Sequence, residues 1–275
     1  MPGPRQQSPS VSPGVQAAQD FTEKRIAVIV FCAAKNCWRA IPHLVRGKLA
    51  HGMQVVEMKV TVCALHADDL AADGLTTRWA TDGDFDYVAK KGSKGSVSLL
   101  ARALLRALLH RLTGSGDWTM AADDNGKPYL RDERGALGPA ISLSHGGGMV
   151  AAAVGPPGLR IGVDVEPHKA RDVMALAAKA FGPAEKQQVA EGGAAAFYKL
   201  WTLREAMGKA TGQGLSLAAD GVDHVGKSQG DGVWRVPGWV FGYWPDPGYS
   251  LAAAVERPGN AAVDIDLLPL GEICR

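Results

Sequence analysis

Cysteine is scarce in this chain. Cys32, Cys37, Cys63 and Cys274 are the four among 275 residues, too few and too scattered for a disulfide framework or a zinc site. Reduced, mostly buried thiols in a cytoplasmic protein are the expectation. An excess of one charge is also missing. Thirty basic residues stand against 28 acidic ones, a net charge of +2, which argues against a nucleic-acid binder and leaves room for a local basic patch. No apolar run reaches the roughly 18–20 residues that span a bilayer, so no membrane segment is expected. Residues 1–20 are rich in Pro, Ser, Gln and Gly and lack an apolar stretch. They read as a disordered tail rather than a signal peptide. There is no HExxH, so the zinc-hydrolase chemistry that motif carries is not indicated.

What is present is globular composition, 46% hydrophobic and 21% charged, enough for one large domain or two small ones. The apolar run Arg25–Cys32 predicts a buried strand over Ile26–Phe31. Residues 35–52 are mixed and basic and fix no element, a short helix being one option. Gln54–Ala64 alternates as a strand. Asp68–Ala72 opens a helix, and Gly83–Asp86 reads as a loop. Leu99, Leu100, Ala103, Leu104, Leu108 and Leu112 recur at helical spacing, predicting a helix over Val97–Leu112 that Gly114 and Gly116 stop. Trp118–Ala121 is a strand and Asp124-Asn125-Gly126 a turn. Ile141–Val154 holds two strands around Gly146-Gly147-Gly148. Gly155-Pro156-Pro157-Gly158 then leads into a strand over Leu159–Val165, which reads as a hairpin. Helices follow at 171–180 and 194–210, the second ended by Gly212 and Gly214. The chain to about residue 257 alternates Val, Trp, Phe and Tyr between turns, as antiparallel sheet does. The expected division is a tail over 1–20, an N-terminal half over 21–157 with an extension at 21–58, and a C-terminal half over 158–275.

Candidate chemistry falls in four places. In Arg160-Ile161-Gly162-Val163-Asp164-Val165-Glu166, strand alternation turns Ile161, Val163 and Val165 into a core and sets Asp164 and Glu166 on the other face, about 7 Å apart. Two such carboxylates repel unless a cation lies between them, and an oxygen-only environment suits Mg²⁺. An ordinary strand with a solvated acidic face has the same pattern. In Trp201-Thr202-Leu203-Arg204-Glu205-Ala206-Met207-Gly208-Lys209, helical spacing puts Trp201, Glu205 and Lys209 on one stripe. That is either a site wall or a surface Glu–Lys pair. Ser142-Leu143-Ser144-His145 ends a strand in a glycine turn, where a hydroxyl and an imidazole could hold a phosphate or be merely structural. Gly126-Lys127-Pro128 supplies a loop lysine.

In this order the four segments resemble the motifs of the 4′-phosphopantetheinyl transferases. Asp164 and Glu205 lie 41 residues apart, a gap that suits the family. Gly212–Leu217 and Asp246-Pro247-Gly248-Tyr249 are similar to family sequence too, and the resemblance runs from about Lys59 to Pro258. Length and two-part layout resemble the larger, monomeric Sfp-type branch.

The resemblance implies an α+β fold of two pseudo-symmetric α/β halves with the active site in the cleft between them. It implies transfer of phosphopantetheine from coenzyme A to a serine of an apo acyl or peptidyl carrier protein. It assigns Mg²⁺ to Asp164, Glu166 and Glu205. The nucleotide end of coenzyme A goes to Lys127, Ser144 and His145, and the pyrophosphate to Lys209. Glu205 is the first choice for general base and Glu166 the second. Two departures stand out. Where the family carries a basic residue one turn before the leucine run, this chain has Val97, with Lys94 as the nearest cation to replace it. Residues 1–58 have no clear counterpart. A homologue that binds carriers without modifying them is the rival reading, but it would not need Asp164, Glu166, Glu205 and Lys209 together.

Overall fold

The computed structural model describes residues 57–69, 71–90, 95–115, 117–214, 230–259 and 261–273, with the backbone of 29–32 and 37–40. The tail expected over 1–20 and the phosphate contact considered for Lys94 lie outside the described residues. Strand β1 (Ile29–Cys32) pairs antiparallel with β2 (Cys37–Ala40). The predicted strand at 26–31 overlaps β1, and part of the segment that fixed no element is β2.

Two four-stranded sheets form the body. The first is built from β3 (Glu57–His66), β6 (Ala140–Gly146), β7 (Met149–Gly155) and β12 (Ala262–Leu267) in the order β12-β3-β7-β6. The second comprises β8 (Ile161–Pro167), β9 (Gly232–Val236), β10 (Trp239–Pro245) and β11 (Tyr249–Glu256) in the order β8-β11-β10-β9. All pairings are antiparallel except β12 with β3. Beyond the antiparallel stretch expected to about residue 257, β12 carries the chain back to the first sheet.

Alternation along the strands sorts their side chains into three cores. Val60, Val62, Ala151 and Ala153 of the first sheet meet Ile161, Val163, Val165, Leu251 and Ala253 of the second. The other face of the first sheet, with Cys63, Leu65, Val150 and Ala152, is covered by helix α3 (Gly95–Thr113). Leu104, Leu105 and Leu108 of that helix are fully buried, each contributing about 1.5–3 kcal/mol of burial. Helices α1 (Ala71–Trp79) and α2 (Asp82–Ala89) precede α3, and the hairpin β4 (Thr119–Ala122) with β5 (Pro128–Arg131) follows it. The outer face of the second sheet carries α4 (Val173–Ala180) and α5 (Pro183–Thr211), where Phe197, Leu200 and Leu203 pack on Phe241, Ala252 and Ala254. A short helix α6 (Leu270–Ile273) ends the described chain.

Two expectations are corrected. Gly83–Asp86 is not a loop but part of α2. Thr81 and Asp84 form a capping box there, and the buried Asp84 carboxylate also binds Arg102 and Arg106 of α3. Those tertiary ion pairs override the turn-like composition. Gly155–Gly158 is not a hairpin turn either. Strand β7 already has β3 on one edge and β6 on the other, so β8 finds no free edge there. The chain instead crosses to the second sheet, and β8 pairs with β11.

Helix α5 holds one break. Gly193 adopts φ 60° and ψ −141°, a conformation open essentially to glycine alone. The N-terminal piece, 183–192, was not foreseen. Its first turn carries Glu185, whose carboxylate accepts from the Gly182 N–H at 3.0 Å and is gripped twice by Arg204, at 2.8 and 2.6 Å. Helix α5 ends at Gly212, φ 77°, in the left-handed region that favours glycine.

Candidate active site

The edge strands β6 and β8 meet side by side, joined by side chains rather than by a backbone ladder. Ser142 Oγ accepts from the Val163 N–H at 3.0 Å and Ser144 Oγ from the Val165 N–H at 3.3 Å. These hydroxyls satisfy two amides that β8 turns away from β11. Ser144 Oγ in turn donates to Asp164 Oδ1 at 2.8 Å. So the serines of the glycine-turn segment are part of the seam on which the acidic pair stands.

Helix α5 lies over that seam because Gly162 lets it. A Cβ at Gly162 would fall 1.9 Å from the Ala206 carbonyl oxygen and 2.6 Å from the Ala210 nitrogen. A glycine inside a strand often marks such a backbone approach. The stripe Trp201, Glu205, Lys209 then runs along β8 in the opposite sense to its acidic pair. Lys209 Nζ donates to Asp164 Oδ1 and to Ser144 Oγ, each at 2.7 Å. Trp201 Nε1 donates to Glu166 Oε1 at 3.4 Å. Glu205 occupies the middle of the stripe, facing both acids. The Gly146–Gly148 turn closes the other end: a Cβ at Gly147, φ 56°, would meet Pro167 Cγ at 2.4 Å, so this glycine lets the turn press on the residue next to Glu166.

Electrostatics follow from this crowding. Asp164 is 4% exposed, so the solvated acidic face that the sequence also allowed is not what the strand presents there. Burial raises the Glu205 carboxyl above its usual range, the Asp164 charge adds to this and Lys209 opposes it. Glu166 is likewise raised by burial and by Asp164, while the Trp201 N–H, Arg171 and Lys209 favour its charged form. Arg171 was not singled out in the sequence, and its separation from the motif gave no signal.

Asp164 Oδ2 is buried with no hydrogen-bond partner among the described residues. Among those residues no three His, Cys, Asp or Glu groups are gathered tightly enough to cage an ion as they stand. Lys209 occupies one Asp164 oxygen. The donor set nonetheless fits a hard divalent cation: it is all oxygen, it is negatively charged, and it includes a buried acceptor left unsatisfied.

Lys127, in the β4–β5 turn, reaches the C-terminal end of α5 and donates to the Ala210 carbonyl at 2.6 Å. Burial pulls its pKa down, Asp123 and Glu256 oppose that and Arg160 adds to it. His145 is exposed and, by alternation, sits on the face of β6 opposite Ser144. Val97 packs partly buried against the core of α3, so it belongs to the apolar interior rather than to a phosphate contact.

The α+β fold thus brings Asp164, Glu166, Glu205, Lys209 and the Ser142 and Ser144 hydroxyls to one seam. The family model described as the 4′-phosphopantetheinyl transferase superfamily matches residues 160–234. The 4′-phosphopantetheinyl transferase psf-1 of Bacillus pumilus is 30% identical over 182 residues, which cover 62% of this chain and 75% of that protein. The chain belongs to the 4′-phosphopantetheinyl transferase superfamily, a family of transferase enzymes.

Proposed function

We propose that this enzyme transfers the 4′-phosphopantetheine group of coenzyme A to a serine of an apo acyl or peptidyl carrier protein, releasing 3′,5′-ADP. The observation that carries the reading is the seam along β8 and α5, where Lys209 binds Asp164, Trp201 binds Glu166, and Glu205 feels the charge of both acids. The carrier hydroxyl attacks the phosphorus next to the pantetheine. The new O–P bond forms as the bond to the ADP oxygen breaks. Glu205 is the first choice to take the serine proton, with Glu166 the second. Lys209 faces the pyrophosphate, while Lys127, Ser144 and His145 take the nucleotide end. Asp164, Glu166 and Glu205 would hold Mg²⁺, which offsets charge on the pyrophosphate and the leaving group.

We read the fold as two pseudo-symmetric halves dividing near Gly155–Gly158, with the coenzyme in the cleft between them. The support is a shared order. In each sheet a strand (β3 or β8) precedes a long helix (α3 or α5), and the last hairpin (β6–β7 or β10–β11) pairs its second strand with the first. A monomer acting in the cytoplasm, without nucleic-acid or membrane partners, completes the reading. Among the described residues no helix is long and apolar enough to cross a membrane. The test is incubation with coenzyme A, Mg²⁺ and an apo carrier protein, read by mass spectrometry. The phosphopantetheine adduct is expected on the carrier serine. Carrier binding without the adduct would overturn the reading in favour of a non-catalytic homologue.

A further inference from the structure

The two acids of β8 are held in different ways. Asp164 is fixed by cationic and hydroxyl donors, Lys209 and Ser144. Glu166 receives its side-chain hydrogen bond from a neutral donor, the indole N–H of Trp201 at 3.4 Å. The direction of that N–H is set by the ring's packing. Trp201 stacks on Phe197 with centroids 5.7 Å apart and an interplanar angle of 23°, and it contacts Phe181 at 6.4 Å. Both phenylalanines are buried, at 1% and 5% exposure, so the indole rests on a rigid platform. The donor addresses Oε1 and leaves Oε2 to another partner. Its neutrality matters: a lysine or arginine at this place would cancel the charge that a cation needs, whereas an indole orients the carboxylate and leaves that charge intact.

We propose that Trp201 is a positioning residue whose indole N–H orients the Glu166 carboxylate toward a divalent cation bound beside Asp164. The inference rests on the proposed metal role of Asp164, Glu166 and Glu205. Side chains that hydrogen-bond to a metal ligand tune affinity without touching the ion, and their loss weakens binding by about 10–100-fold. Trp201 would then couple the aromatic core of α5 to the geometry of the acidic seam. A plain packing role predicts instead that any ring filling the same space would serve.

The experiment is Mn²⁺ binding to the full chain, followed by electron paramagnetic resonance in the absence of coenzyme A and carrier. Four proteins are compared: wild type, Trp201→Phe, Glu166→Gln and the double variant. A fifth carries benzothienylalanine at position 201, which keeps the bicyclic shape and replaces the N–H by sulfur, and it serves if the smaller phenyl ring unsettles the fold. Loss of the N–H by either route should weaken Mn²⁺ binding about tenfold with little change in melting temperature. In the Glu166→Gln background the same loss should have no further effect. Wild-type affinity in the N–H-deleted proteins, with Glu166→Gln still weakened, would overturn the positioning role and leave the metal site standing. Equal weakening in both backgrounds would also overturn it, because the effect would then pass through packing. If Glu166→Gln binds Mn²⁺ as wild type does, the metal role of Glu166 falls, and the proposal with it.

Discussion

Lys209 Nζ sits 2.7 Å from Asp164 Oδ1, while the other oxygen of that buried carboxylate has no hydrogen-bond partner among the described residues. The pair joins the last turns of α5 to the middle of β8, and Ser144 completes it from the neighbouring sheet. One oxygen of the Asp164 carboxylate is thus held by the protein, and the other is the position the proposed cation would take.

Asp164→Ala and Glu205→Ala are expected to remain folded and to lose transfer by roughly 10²–10³-fold or more, the scale of removing a preorganised electrostatic group. Steady-state transfer to an apo carrier at saturating Mg²⁺, alongside a thermal melt, checks this. Near-normal turnover in either variant would remove that residue from the centre.

Lys127→Ala and His145→Ala should raise the KM for coenzyme A more than they lower kcat. Their proposed partners are remote from the bond that breaks, so the loss is mainly of ground-state binding. Lys127→Ala also frees the Ala210 carbonyl, so a loss of about 1 kcal/mol in stability should accompany it. Calorimetry with coenzyme A gives the affinity directly, and an unchanged value would show the residue to be misplaced.

Gly162→Ala places a methyl carbon within 1.9 Å of the Ala206 oxygen, and no rotamer relieves a Cβ clash. Helix α5 must then move away from β8. Overpacking of this kind costs about 1–3 kcal/mol or more, and a shift near 1 Å at a reacting centre costs about 10²-fold in rate. Urea unfolding and turnover per folded molecule separate the two effects. A variant with wild-type stability and rate would contradict the close packing of the two elements.

The raised pKa values of Glu166 and Glu205 fix the sign of a pH effect on the metal-free protein. A carboxyl raised in the folded state binds more protons there than in the unfolded chain. Its stabilising contribution is complete below the ordinary glutamate value of about 4.3 and is lost as pH rises through the raised folded values. Asp84 works in the opposite sense. Burial pushes its pKa up, but Arg106 and Thr81 outweigh that and hold it low, so its contribution is lost as pH falls. The difference between wild type and Glu205→Gln isolates the first effect. The wild type should lose melting temperature relative to the variant as pH rises through and above that range, and saturating Mg²⁺ should reduce or reverse the loss. A pH-independent difference would refute the crowding of the three acids.

Much of the fold was legible because its signals are local. The leucine spacing of α3, the glycines after α5 and the alternation of β8 each depend on residues within one element, and each element formed nearly where predicted. Partnership between distant segments was not legible. Nothing local in Gly155–Gly158 says that both edges of β7 are taken, so the expected hairpin became a crossing between sheets. Nothing local in Gly83–Asp86 announces that Arg102 and Arg106 will bury the Asp84 carboxylate and hold it in a helix.

The acidic seam divides in the same way. By itself the sequence determined that Asp164 and Glu166 share a face and that Trp201, Glu205 and Lys209 share a stripe, since both follow from the repeat of a strand and a helix. Tertiary structure alone decided that the two sets oppose each other, with Lys209 at Asp164 and Trp201 at Glu166. That pairing depends on a close approach at Gly162, on hydroxyls from β6 that seal the edge of β8, and on a sheet assembled from strands nearly a hundred residues apart. Periodicity fixes direction within one element, but only packing between elements fixes distance, and it is distance that turns a row of acids into a site.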